Sequence, residues 1–173
     1  MPYRLLPTII LSAFFLTSSA VLGQSTLFSV NAVGFVNKTF KPGVTAVINP
    51  LLPNDNGASS LFQSAPIGTT VITVGSGGNF ITAFKTFLGW NNGDLELLPG
   101  RGFYVYDPTS SPFTITVVGT VQQGDLNLTL RPGTSLLGSL IPQSGLLTSD
   151  LQFQPHFGDT AHVFDSAAAT ANQ

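Results

Sequence analysis

The residues best able to do chemistry are few. The two histidines, His156 and His162, sit with Asp159 and Asp165 in "HFGDTAHVFD". That spacing matches no metal-ligand pattern, and the chain has no cysteine to complete one. Both are expected to be surface histidines. Nucleophilic catalysis needs a Ser or Thr beside a His with an orienting acid. Serines abound, yet no G-x-S-x-G elbow occurs. Paired carboxylates for acid–base work reduce to Asp94 with Glu96, and Asp107. Each lies in or beside a stretch that reads as a polar loop, where a solvated carboxylate is the expectation. "NDNG" at 54–57 offers oxygen ligands but lacks the spaced acids of a calcium loop, so Asp55 or Asn56 is expected to cap a helical turn. Together these readings argue against an enzyme, a resident metal or a cofactor.

The segment "LLPGRGFYVYDP", residues 97–108, resembles a glycine loop at first sight. Phosphate-gripping loops lie between a strand and a helix whose first N–H groups hold the anion. The run after Gly102 is aromatic and β-prone, and leads to a second turn and "FTITVV". Gly100 and Gly102 are therefore expected at positive φ in a turn that feeds a strand.

Binding chemistry is best represented by Trp90, Tyr104 and Tyr106, with the amides of Asn91 and Asn92 close by. Flat rings and amides together can hold a sugar. On a strand Phe103 and Val105 face one way and Tyr104 and Tyr106 the other. An outward tyrosine face would offer a ring platform, and an inward one would be ordinary packing. The matching sequons Asn37-Lys38-Thr39 and Asn127-Leu128-Thr129 offer glycan acceptors, without meaning in a bacterial protein.

The elements that must position these residues read as strands. Of 173 residues 43% are hydrophobic and only 8% charged, far below the usual quarter or so. Glutamate occurs once, while there are 18 Gly and 12 Pro, a composition of strands and turns. The N-terminus places Arg4 before an apolar stretch over residues 5–16 and then a small-residue zone, the layout of a secretory signal. Cleavage after Ala20 or Gly23 would give a start at Val21 or Gln24. The alternative, an uncleaved anchor over residues 5–22, is weakened by its marginal length, by Pro7 and by Ser12. Without Arg4, five basic residues face eight acidic ones, so the formal charge moves from −2 to −3. A nucleic-acid backbone would find little counter-charge.

The strongest organisational signal is internal. "NKTFKPGVTAVINPLLP" from Asn37 recurs as "NLTLRPGTSLLGSLIPQ" from Asn127, an offset of 90 residues. Lys41-Pro42-Gly43 falls on Arg131-Pro132-Gly133, Leu51 on Ile141, Leu61 on Leu151 and Gly68 on Gly158. This reads as a duplicated small module, too long in period for a solenoid. The expected organisation is a signal at 1–23, a complete β module at 24–120, a partial second copy at 121–165, and a disordered tail at 166–173. The expected fold is all-β, mainly antiparallel and sandwich- or barrel-like, with at most one or two short helical turns per module. "LNLTL", "TSLLGSL" and "AHVFD" in the second copy have the look of strands lacking their partners. Unpaired strands of that kind template association with a second copy or another envelope protein.

The order of a Pro-rich strand end, "SLF", "GTTV", "GW", "LLPGRGFYVY" and "TITVVG" resembles accessory repeats of secreted bacterial proteins. In those, a PGxGF- or PGxGY-type turn precedes the penultimate strand. The resemblance covers residues 28–120, and 121–165 in part. It implies a non-catalytic β module of the outer envelope or exterior, and carries over no functional residue. The function expected is structural or adhesive, at the cell surface or outside the cell, with a carbohydrate-binding module on the aromatic residues as the alternative.

Overall fold

A computed structural model describes residues 32–162. Residues 1–31, with the expected signal at 1–23, and residues 163–173, with Asp165 and the expected tail, lie outside the described residues. The fold is mostly antiparallel β with one short helical turn, in two sheets that do not close into a barrel.

Strands β1 (Ala32–Phe40) and β7 (Phe113–Val121) form a two-stranded ribbon, paired along their whole length from Ala32↔Val121 to Phe40↔Phe113. The other five are β2 (Gly43–Ile48), β3 (Thr70–Val74), β4 (Phe80–Thr86), β5 (Gly89–Asn91) and β6 (Gly102–Asp107). They form one sheet in the order β2-β6-β3-β4-β5. Period-two patterning explains both sheets. In "FTITVVGTV" Ile115 and Val117 are buried while Thr114, Thr116 and Val118 are exposed, so one face turns to the core.

The core is shared by the two sheets. Phe40, Ile115 and Val117 come from the ribbon; Val71, Ala83, Phe103 and Val105 come from the larger sheet. Phe62 joins them, with its ring centroid 5.6 Å from Phe40 and 5.9 Å from Phe103. It comes directly after α1 (Ala58–Leu61). The expected side-chain cap of this turn is absent: Gly57 is the N-cap residue, and Asp55 Oδ1 accepts from its N–H at 2.7 Å. The first N–H groups of the helix are met instead by backbone, Ala58 N–H to Leu95 O at 3.0 Å and Ser59 N–H to Gly93 O at 2.9 Å. A neighbouring loop does here what a cap side chain does elsewhere.

Beyond Val121 the described residues form no strand. The apolar runs at 126–130 and 134–140 hold one isolated bridge and are exposed or half-buried, and the structure departs here from their sequence appearance. A ladder needs a partner edge, and these runs meet one only at the approach to β6. From Phe103 to Tyr106, β6 is paired with β2 on one side and β3 on the other, so only its approach is open. There the later segment does pair: Arg101 bridges Leu137, Gly102 N–H donates to Leu136 O at 2.8 Å, and Gly138 N–H to Gly100 O at 3.0 Å. Turn geometry is nevertheless the same at positions 90 residues apart. Gly43 and Gly133 have φ of 95° and 98°, and Gly68 and Gly158 of 90° and 96°. Leu51 N–H donates to Asn49 Oδ1 and Ile141 N–H to Ser139 Oγ, both at 3.2 Å. Thr69 N–H reaches Pro66 O at 3.2 Å, and Asp159 N–H reaches His156 O at 3.1 Å.

Candidate functional site

The "PGRG" segment is a turn entering a strand. Gly100 has φ 75°, a conformation a side chain would strain. Gly102 differs from its expectation: its φ is not positive. Its lack of a side chain is used for close approach instead, since a Cβ there would stand 3.1 Å from the Leu136 carbonyl carbon. Asn49 holds the turn in place. It is buried, its Nδ2 donates to Leu97 O at 3.0 Å, and its backbone oxygen accepts from Gly100 N–H at 3.2 Å. Sequence reasoning passed over Asn49, whose one signal was a lone amide ending the apolar run "VTAVI".

The three aromatic candidates do not come together on one face. Phe103 and Val105 are buried, so Tyr104 and Tyr106 occupy the opposite, outer face of the larger sheet. Trp90 is on the inner side. It pairs with Lys85, is half-buried, and sets its ring 6.3 Å from Phe62. Its indole Nε1 is buried without a hydrogen-bond partner among the described residues. Lys85 is drawn inward beside it, its ammonium donating to Gln63 O at 2.6 Å and Ala65 O at 2.7 Å. Asn92 is spent on structure, its Nδ2 donating to Thr82 O.

What the outer face does assemble is a cross-strand row. The registers align Val44 on β2, Tyr106 on β6, Thr70 on β3, Phe84 on β4 and Asn91 on β5. Tyr106 is 43% exposed and Phe84 42%, one on each side of Thr70. Asn91 Oδ1 accepts from Phe84 N–H at 2.6 Å, which fixes the amide at the end of the row. The ribbon has an outer face of its own. Val33 and Phe35, each 71% exposed, share it with Val118, 56% exposed and paired with Phe35. Beyond them it turns polar, with Thr116 Oγ1 donating to Asn37 Oδ1 at 2.7 Å and Thr39 Oγ1 2.8 Å from Thr114 Oγ1. The Asn37 amide oxygen is thus engaged within the ribbon.

The remaining titratable candidates scatter. Asp94 and Glu96 are exposed in the loop that caps α1. Asp107 is not solvated as its sequence context suggests: it is 1% exposed, and its Oδ1 accepts from both the N–H and the hydroxyl of Thr109. Its placement follows from the strand period, which carries the inward face of β6 through Phe103, Val105 and 107. His156 and His162 are exposed; His156 N–H donates to Asp159 Oδ2 at 2.7 Å, closing a local turn. Among the described residues no group of three His, Asp or Glu is disposed to hold a metal ion, and no helix is long and apolar enough to cross a membrane. Compared with protein-family models, with curated proteins and with solved structures, the chain matches none of them.

Proposed function

We propose that this chain is a non-catalytic β module of an exported protein, with a structural or adhesive role at the cell surface or outside the cell. Its working surfaces on this reading are sheet faces rather than a cleft. The observation that carries it is the outer face of the ribbon, where Val33, Phe35 and Val118 stand exposed side by side. Contiguous exposed apolar side chains mark contact surfaces. The N-terminal charge-then-apolar layout supports export, and the 90-residue sequence offset with its matched turns supports reading residues 121–165 as a partial second copy. Partners on this reading are further copies or other envelope proteins, joined through sheet faces and the open edge of β2. The test is binding of the exported chain to isolated cell-envelope material, for the parent and for a Phe35→Ser, Val118→Thr variant. Binding should fall several-fold in the variant while its melting temperature stays near that of the parent. Equal binding would remove the ribbon face from the reading.

A second reading, carbohydrate binding, is favoured by one observation: the row Val44–Tyr106–Thr70–Phe84–Asn91 combines two exposed rings with a fixed amide. Aromatic side chains with a polar neighbour suit sugar faces. On this reading Tyr106→Ala and Phe84→Ala each weaken retardation of the chain in polysaccharide-containing native gels, and Trp90→Phe does not. Equal retardation of all three variants would count against it.

A further inference from the structure

From the meeting of the second-copy segment with the start of β6, we infer a binding site for a small oxyanion group, held by Arg101 and Arg131. The segment folds back across the approach to β6, and between it and the β3–β4 turn lies a narrow cleft. Arg101 and Arg131 both line it, with Ser76, Thr129, Thr134 and Ser135. No acidic residue does.

Three observations point to an anion there. The whole chain has only six basic residues, and two of them, 30 positions apart in sequence, line one cleft of a net-negative protein. Gathering like charges costs Coulomb energy unless a counter-charge sits between them. Neither guanidinium is otherwise engaged: among the described residues no carboxylate lies within ion-pair distance of Arg101 or Arg131, and neither guanidinium is in a side-chain hydrogen bond. Arginine's planar fork of donors matches carboxylate, sulfate and phosphate oxygens in pairs, and the four hydroxyls supply further donors. The enclosed space is about 20 Å³, room for one oxygen-sized group. The ligand is therefore a terminal acidic group whose one oxygen enters while the rest stays outside, not a whole sugar ring. The site is separate from the ribbon and from the Tyr106–Phe84 row: of its lining residues only Val74 is on the larger sheet's outer side, at the far end of β3 from Thr70.

The test is titration of the full exported chain, at constant ionic strength, with sodium sulfate, sodium phosphate and sodium acetate in separate arms. The readout is the Arg Nε–H resonances and the amide resonances of Ser76 and Gly78. Saturable shifts confined to these groups are expected, and the arm with the lowest dissociation constant tells a tetrahedral ligand from a carboxylate. Arg101→Gln and Arg131→Gln should each raise that constant about tenfold, the loss of one charge-assisted hydrogen bond. Lys41→Gln, outside the cleft, should leave it unchanged. Arg131 is exposed, so its variant decides the matter even if Arg101→Gln perturbs the β6 entry. Linear, unsaturating shifts in all three arms, or the same constant for parent and Arg131→Gln, would overturn the site.

Discussion

Gly119 on β7 is the position where one added methyl group should do the most damage. The loop after β2 runs across it, pairing Leu52 with Thr120 through two backbone hydrogen bonds of 2.9 Å each. A Cβ at Gly119 would lie 2.6 Å from Pro53 N and 2.7 Å from the carbonyl carbon and oxygen of Leu52. Ordinary contact begins at 3.4 Å, so the loop must retreat by about 0.8 Å. These are backbone atoms and cannot rotate away. That retreat stretches both Leu52–Thr120 bonds past useful length, at about 1 kcal/mol each. Overpacking adds roughly 1–3 kcal/mol. Replacing glycine in a strand returns about 0.5–1 kcal/mol. The net expected loss for Gly119→Ala is about 2–4 kcal/mol, a fall in Tm of roughly 8 °C or more for a module of this size. Gly34, opposite it on β1, is the internal control. Its added Cβ would meet only the ends of Val121 and Leu51 side chains, at 3.1 and 3.3 Å, which can give. Gly34→Ala should cost less than about 1 kcal/mol. Thermal melts followed by circular dichroism compare the two. If Gly119→Ala and Gly34→Ala melt within about 2 °C of each other, the close-approach argument fails.

Asn49→Ala strands the Leu97 carbonyl and the Leu51 N–H, and urea melts should show a loss of about 2–4 kcal/mol; a loss under about 0.5 kcal/mol would contradict its assigned role. Phe62→Ala removes a ring that touches Phe40, Trp90 and Phe103, and should cost about 3–5 kcal/mol with a red shift of Trp90 emission. An unshifted emission maximum would place Trp90 elsewhere. The Leu146 N–H, then the Ser149 hydroxyl, hold the Asp150 carboxyl below its ordinary value of 3.8. A lowered folded value means that the turn's stabilisation is present above the ordinary range and is lost as pH falls through the folded value. The Leu146 amide resonance should therefore titrate with its midpoint below 3.8, and not at all in Asp150→Asn.

Fold class was legible because strand burial has a period of two. "FTITVVGTV" and "GFYVYD" announce which side faces the core without knowledge of any partner, and the inside–outside split of Phe103 and Tyr104 comes directly from it. Which strand lies beside which is a different matter. Trp90 and Tyr106 are close in sequence and chemically alike, yet they occupy opposite faces, because β5 presents Trp90 on the face shared with Lys85. No local pattern in "GWNN" reveals that register. Asn49 and Asp107 were hidden for a similar reason: a polar residue at a strand end reads as solvated, although both are buried here. Residues 121–162 show the same limit. Turn chemistry is local, so Gly133 and Ser139 reproduce the bends of Gly43 and Asn49. Strands depend on neighbours, and these residues meet one only at the β6 entry.

The pairing of Ala32 with Val121 has a mechanical consequence. The two ends of the ribbon emerge side by side, so tension between the chain before residue 32 and the chain after residue 121 acts across the ladder rather than along it. Such a load reaches the hydrogen bonds of β1 and β7 one after another, beginning at Ala32–Val121, like a zipper drawn from its open end. The contact of residues 136–138 with the β6 entry meets the load first, because it lies between the C-terminal pull and the ribbon. Yielding under force should therefore come in two steps, a weak release of that contact and then progressive opening of the ribbon. Once that contact has released, the five-stranded sheet is off the line of tension until the ribbon has gone.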